Sequence, residues 1–117
     1  MTITVYGIPN CDTVKKARTW LAEHQHAFEF HDFKKQGLTR DTVADWLKHL
    51  SRDVLVNRKG TTWRALSDER KASITDDEAA IALMLENPSV IKRPVLVKDD
   101  QYAVGFSDAQ YQQIFKG

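Results

Sequence analysis

Cys11 is the only cysteine of the chain, and it stands between a proline-containing turn and an amphipathic stretch rich in lysine, within "VYGIPNCDTVKKARTWL" (Val5 to Leu21). A single cysteine can be a small core residue, half of a disulfide, a metal ligand or a nucleophile. Here a predicted strand precedes it and a predicted helix follows it. The thiol would therefore meet the free amides and the positive end of the helix dipole, which favour the thiolate. The position favours a reactive thiol over a buried, inert one.

The neighbours of Cys11 refine this prediction. Lys15 and Lys16 follow within one helical turn and add positive charge, whereas Asp12 opposes the thiolate by like charge. Asn10 and Asp12 flank the cysteine and are candidate binding residues. Val14 stands where a Cys-x-x-Cys motif would carry its second cysteine. The protein therefore cannot resolve a mixed disulfide internally and needs an outside thiol, and glutathione is the plentiful one in a cytoplasm.

Two basic segments offer partners for an anion. "IKRPVLV" places Arg93 directly before Pro94 at the start of a predicted strand, where a proline is tolerated. An arginine there can pair bidentately with an oxyanion or a carboxylate, although a solvated charge at a strand end is the alternative. "NRKGTTWR" gathers Arg58, Lys59 and Arg64 around Gly60 and Trp63. This mixture suits an anionic substrate such as glutathione; a solvated basic loop, with the tryptophan packed on the core, is the alternative.

The four histidines do not have the spacing of metal ligands, since His24 and His26 are two apart while His31 and His49 are isolated. We therefore predict no metal site. We also expect no tightly bound cofactor.

Composition limits the remaining classes. The chain has 117 residues, 42% of them hydrophobic and 28% charged, and its 17 basic and 16 acidic side chains give a net charge of +1. Bulk charge thus offers no case for nucleic acid. No apolar run approaches the roughly 20 residues of a membrane span, and no signal peptide is recognisable. We expect a cytoplasmic, monomeric protein that binds neither membrane nor nucleic acid.

Hydrophobic patterning supplies the elements that would position these residues. It predicts a strand over Thr2–Tyr6, a helix from Thr13, a strand within "AFEFHDF" and a helix over Arg40–Leu50. A polar stretch from Ser51 to Thr75 predicts loops and short helical turns. "TDDE" at Thr75 and "SDAQ" at Ser107 predict capping boxes that open helices on either side of a hairpin formed by "PVLV" and "YAVGF".

The order β-α-β, helices, β-β-α predicts an α/β protein of the thioredoxin-like (glutaredoxin-like) class, with a mixed four-stranded sheet and an inserted α-helical subdomain. We predict a single domain over residues 1–117, with thioredoxin-like halves at about 1–38 and 89–117 and the insertion at about 39–88. In such a sheet the position of Pro94 commonly holds a cis-proline, which lays the preceding backbone alongside the active cysteine.

"YGIPNCDTVKKARTWL", "NRKGTTWRAL" and "IKRPVLV" resemble, in this order, the motifs of the arsenate reductase C (ArsC)/Spx family, and most closely its YffB-like branch. The resemblance implies a nucleophile at Cys11 and oxyanion-holding arginines at Arg58 and Arg93. It further implies resolution of the thiol adduct by glutathione, with glutaredoxin as a partner. Pro94, Arg64 and Trp63 complete the predicted site for substrate or glutathione.

Two departures separate this chain from the arsenate reductases it resembles. Their third arginine, after the last hairpin strand, is absent from "AVGFSD", and Asp12 replaces a small neutral residue. Arsenate is therefore not the expected natural substrate. We expect a glutathione-dependent thiol/disulfide oxidoreductase acting on a small-molecule or protein thiol or disulfide. The alternative is an Spx-like, non-catalytic adaptor that binds RNA polymerase, although Val14 removes the Cys-x-x-Cys redox switch of such proteins.

Overall fold

The computed structural model describes residues 2–116, and the chain divides into two compact units. Met1–Gln36 and Arg93–Gly117 form the first unit, and Gly37–Lys92 form the second. The prediction of one domain over residues 1–117 is not tested by this division and stays a prediction. No helix within the described residues is long and apolar enough to cross a membrane.

Secondary structure accounts for most of both units. The first unit contains β1 (Ile3–Gly7), α1 (Asp12–Glu23), β2 (Glu29–Asp32), β3 (Val95–Lys98), β4 (Gln101–Val104) and α7 (Asp108–Ile114). The second contains α2 (Arg40–His49), α3 (Arg52–Leu55), α4 (Thr61–Arg64), α5 (Asp68–Ser73), α6 (Asp77–Glu86) and a 3₁₀ turn (Pro88–Val90). The stretch predicted as loops and short helical turns therefore holds three helices of four to six residues.

The four strands of the first unit form one mixed sheet in the order β2-β1-β3-β4. β1 runs parallel to β2, with Val5 opposite Phe30, and antiparallel to β3, with Val5 opposite Leu96. β3 and β4 form an antiparallel hairpin. β1 and β2 are parallel because the connection between them runs through α1. This crossover is long enough for β2 to begin at the same end of the sheet as β1. The predicted thioredoxin-like arrangement is confirmed.

The core of the first unit forms where α1 and α7 pack on the sheet. Its buried residues come from β1, α1, β3 and α7: Ile3, Val5, Ala17, Trp20, Leu21, Leu96 and Tyr111. The indole Nε1 of Trp20 donates a hydrogen bond to Oδ1 of Asp108 at 2.7 Å, which ties α1 to the first turn of α7. This satisfies the one polar atom of a buried tryptophan.

The second unit is helical, and α2 and α6 pack against each other. Helical spacing places Val43 and Trp46 on the buried face of α2. On α6 the buried residues are Ala80, Ile81, Leu83 and Met84. An isolated antiparallel bridge between Val56 and Ile91 joins the end of α3 to the segment after the 3₁₀ turn.

The two predicted capping boxes are only partly correct. Asp76, not Thr75, is the N-cap of α6, and its Oδ1 accepts a hydrogen bond from the Ala79 amide at 2.8 Å. Glu78 instead pairs with the guanidinium of Arg40, a charged partner that outcompetes a neutral amide. Ser107 does cap α7, accepting from the Gln110 amide at 3.1 Å. The side chain of Gln110, however, donates to the Val104 carbonyl, so the reciprocal half of that box is not formed.

Candidate functional site

Cys11 is the N-cap residue of α1. Its backbone is extended (φ −108°, ψ 124°), and its carbonyl accepts the Lys15 amide at 2.9 Å. The side chain makes no capping hydrogen bond, so it leaves the amides of the first turn unused. The thiol is free and half-buried. Donors at a helix start are thus available to an anion, whether the thiolate itself or a substrate group.

Strand register brings Pro94 to the same edge of the sheet as Cys11. Tyr6 of β1 pairs with Val95 of β3, and Val95 pairs in turn with Val104 of β4. The residues next along these strands are Gly7, Pro94 and Gly105, and the Gly105 amide donates to the Pro94 carbonyl at 2.9 Å. Because only a short turn separates Cys11 from the end of β1, Cys11 lies at this edge of the sheet, where the strands end. The Arg93-Pro94 peptide bond is cis.

Arg93 lies directly before this cis-proline and is half-buried. Its guanidinium has no hydrogen bond or ion pair with another described residue of its own unit. A guanidinium without an internal partner keeps all five of its donors for a ligand. Arg93 is therefore an available cation at the edge of the sheet that carries the thiol.

The chain after β4 also reaches this edge, and there it carries no arginine. Gly105 is buried and has a φ of +75°, a conformation that favours glycine. Phe106 packs edge to face on Tyr111, with ring centroids 4.7 Å apart. The segment "AVGFSD", which lacks a third arginine for an oxyanion, thus contributes Phe106 to the packing around Tyr111 instead.

Asn10 and Asp12 are both exposed. Asp12 is the first residue of α1, where its carboxylate interacts favourably with the helix dipole and places a negative charge beside the thiol. Asn10 occupies the turn between β1 and α1. A binding role for these two residues stays a prediction.

The second unit holds the other three predicted site residues. Arg58 is exposed, and its Nη2 donates to Oδ1 of Asp53 at 2.6 Å. Its guanidinium carbon lies 5.5 Å from the ring centroid of Trp63, within the range of a cation–π contact. The α4 helix carries both Trp63 and Arg64, and the side chain of Arg64 is exposed. Arg58 and Trp63 are thus brought together, as an anion site requires, but the cation already has a carboxylate partner.

A groove of about 300 Å³ opens beside this ion pair. Its lining residues all belong to the second unit: Asp53, Val54, Val56, Asn57, Arg58, Lys59 and Lys92. Asp53 was missed by the sequence analysis. It is five residues before Arg58, a spacing that carries no helical-pair signal, and only the turn after α3 brings the two side chains together.

In the first unit a groove of about 400 Å³ runs along α1. It is lined by Lys15, Lys16, Thr19, Trp20, Glu23, Phe106 and Asp108.

Among residues 2–116, no three His, Cys, Asp or Glu side chains cluster so as to hold a metal ion. The thiol of Cys11 at the start of α1 and the cation of Arg93 are the reactive and charged groups that the sheet places at one end.

Comparisons with known proteins agree with this fold. A solved structure named YffB is 46% identical and superposes with a TM-score of 0.90, covering 96% of this chain and 97% of that one. The solution structure of an arsenate reductase (ArsC) related protein from Brucella melitensis is 47% identical, with a TM-score of 0.78 and coverage of 99% and 96%. The global transcriptional regulator Spx of Streptococcus pyogenes is 27% identical over 109 residues, covering 91% of this chain and 79% of the regulator.

The ArsC family profile matches residues 6–114, from the last two residues of β1 to the end of α7, and this range includes both basic motifs. Together with the thioredoxin-like sheet and the thiol at the start of α1, this match means that the chain belongs to the ArsC family.

Proposed function

We propose that this protein is a glutathione-dependent thiol/disulfide oxidoreductase in which Cys11 is the nucleophile. One observation carries the proposal: an uncapped helix start bearing a free thiol shares a sheet edge with Arg93, a cation without a partner among the described residues of its unit. Membership of the ArsC family and similarity to an arsenate reductase related protein support the same class of sulfur chemistry.

The reaction has two balanced thiol exchanges. The Cys11 thiolate attacks the glutathione sulfur of a glutathionylated thiol, forming a Cys11–glutathione disulfide and releasing the substrate as a thiolate, which takes a proton from water. A glutathione thiolate then attacks the glutathione sulfur of that mixed disulfide. This releases glutathione disulfide and restores the Cys11 thiolate, so in net one free glutathione and the glutathionylated substrate become the substrate thiol and glutathione disulfide.

The first-turn amides of α1 stabilise the thiolate in this proposal, and Pro94 shapes the backbone beside the sulfur. Arg93 and Arg58 orient the carboxylates of glutathione or an anionic substrate, with Arg64 and Trp63 in a secondary role. Asp12 disfavours small, multiply charged anions beside the thiol, so arsenate is a poor substrate.

An outside thiol is needed because no second cysteine exists. Val14 occupies the position of a resolving cysteine and is fully buried. We propose glutathione as this co-substrate, with a glutaredoxin as a second route of release, in a cytoplasmic monomer that holds no permanent cofactor.

The proposal is tested by assaying release of the thiol from a glutathionylated peptide, in the presence of glutathione, by the parent and Cys11→Ser. We expect turnover by the parent and only the uncatalysed rate with the variant. Circular dichroism should show both proteins folded, since serine differs by one atom. Equal turnover by folded Cys11→Ser would refute the proposal, and so would absence of turnover by the parent. Arsenate offered in place of the peptide should be reduced more slowly.

A non-catalytic regulator is the second candidate, favoured by the similarity to Spx along 91% of the chain. Such a protein would bind RNA polymerase, and it would do so equally well with Cys11→Ser. Capture of purified RNA polymerase by both proteins, with no turnover by either, would favour this candidate. Turnover without capture would exclude it.

A further inference from the structure

We infer that the carboxylate of Asp53 competes with an external anionic ligand for the guanidinium of Arg58. We infer further that the groove beside this pair binds a carboxylate of a peptide thiol. The inference rests on the proposed function in one respect, because it takes glutathione as the source of that carboxylate. It concerns the second unit only and needs no participation by Cys11.

The groove carries more positive than negative charge. Arg58, Lys59 and Lys92 line it together with the single carboxylate of Asp53. The ammonium groups of Lys59 and Lys92 have no hydrogen bond or ion pair with the described residues of the second unit. One internal carboxylate thus faces three cations, which leaves unmet positive charge for an external anion.

Backbone hydrogen bonds hold the walls of the groove before any ligand arrives. The Lys92 amide donates to the Leu55 carbonyl at 2.7 Å, and the Asn57 amide donates to the Val90 carbonyl at 2.8 Å. Oδ1 of Asn57 accepts the Lys59 amide at 3.3 Å, which fixes the turn that follows. A preformed site loses little conformational entropy when it binds.

Asp53 is not needed to build α3. The N-cap of this helix is Ser51, whose Oγ accepts the Val54 amide at 3.3 Å. The Asp53 side chain is 70% exposed, and the Arg58 side chain that it pairs with is 50% exposed. Exposed ion pairs are weak, so an incoming carboxylate can replace this one. The pair therefore shows that Arg58 accepts a carboxylate. It also lowers the affinity of Arg58 for an external carboxylate, because Asp53 must first be displaced.

A peptide carboxylate suits the groove better than an inorganic anion. Val54 lines the groove and is 43% exposed, an apolar contact of no use to phosphate. The planar guanidinium above Trp63 already engages a carboxylate oxygen. A carboxylate attached to an organic chain can use both the cations and the apolar wall.

The test measures binding of S-methylglutathione, which cannot form a disulfide, to the isotopically labelled full chain carrying Cys11→Ser. The nuclear magnetic resonance signals of the Arg58 side chain and the Trp63 indole report on the groove. Adding Asp53→Asn should tighten binding about two- to fivefold, the range expected for removal of an exposed competitor. Asp53→Glu, which keeps the carboxylate, should bind S-methylglutathione about as tightly as the chain carrying Cys11→Ser alone. Arg58→Gln should bind it more weakly.

Asp100→Asn is the matched control, since it removes the same charge from the β-hairpin turn of the first unit. It should leave binding unchanged. Equal tightening by Asp100→Asn, or none by folded Asp53→Asn, would overturn the inference. Tighter binding of inorganic phosphate than of S-methylglutathione would overturn its assignment to peptide carboxylates. Because every protein in the test lacks the thiol, these outcomes are independent of whether Cys11 is a nucleophile.

Discussion

Gly7 and Val14 approach so closely that a Cβ placed on Gly7 would lie 2.8 Å from Cγ2 of Val14. Gly7 ends β1, and Val14 is the first buried residue of α1. The contact therefore fixes both ends of the segment that carries Cys11. Since valine is stiff about χ1 and its site is fully buried, the methyl group has little freedom to move away.

Gly7→Ala should lower the free energy of unfolding by about 1–3 kcal/mol, the usual cost of overpacking. Urea denaturation of the parent, Gly7→Ala, Val14→Ala and the double variant measures the effect. The double variant should lose less than the sum of the single losses, because Val14→Ala removes the clashing methyl groups. Additive losses would mean that the two residues do not constrain each other.

Asp76→Ala should destabilise the protein by about 1 kcal/mol, whereas Thr75→Ala should change its stability little. The reason is that Asp76, and not Thr75, accepts the free amide of Ala79 at the start of α6. Thermal or urea unfolding of the two variants compares adjacent positions of the same loop. A larger loss at Thr75 would restore the capping box predicted from the sequence.

Tyr111→Phe should be neutral or stabilising near neutral pH. The hydroxyl of Tyr111 is buried and has no hydrogen-bond partner among the described residues, so its removal relieves a desolvation cost. Burial also raises the pKa of Tyr111 above the ordinary value of 10.0. The unfolded chain therefore releases this proton at a lower pH than the folded chain, and folding loses stability as the pH rises past about 10.

Urea unfolding of the parent and Tyr111→Phe between pH 8 and pH 11 checks both statements. The comparison cancels the effect of lysines, which titrate in both proteins. The stability of the parent relative to the variant should fall across this range. A constant difference would show that the phenol ionises equally in the folded and unfolded chains.

Arg93→Ala should raise the KM for glutathione about tenfold, since loss of one charge-assisted contact costs roughly 1.5 kcal/mol. Arg93→Lys should recover part of the loss, because it restores the charge without the fork geometry. Arg40→Ala removes a surface arginine that already pairs with Glu78 and serves as the control. Steady-state kinetics with varied glutathione make the comparison, and an unchanged KM in Arg93→Ala would remove Arg93 from the site.

Patterning of the sequence was enough to predict the sheet, because its strands combine β-branched or aromatic residues with turn signals, as in "TITVY" before Gly7. It also placed Cys11 at the start of α1. Patterning could not predict which of several possible partners a charged side chain would choose. Whether Glu78 caps a helix or pairs with Arg40, and whether Arg58 is free or pairs with Asp53, depends on residues that only the folded chain brings together.

The proposed function requires that Cys11 form a disulfide with glutathione and that glutathione itself reverse it. Intact-mass spectrometry after mixing the protein with glutathione disulfide measures this directly, with Cys11→Ser as the control. We predict one glutathionyl group on the parent, none on the variant, and its loss when reduced glutathione is added. A parent protein that gains no glutathionyl group, or that keeps it in excess reduced glutathione, would refute the proposed role of Cys11.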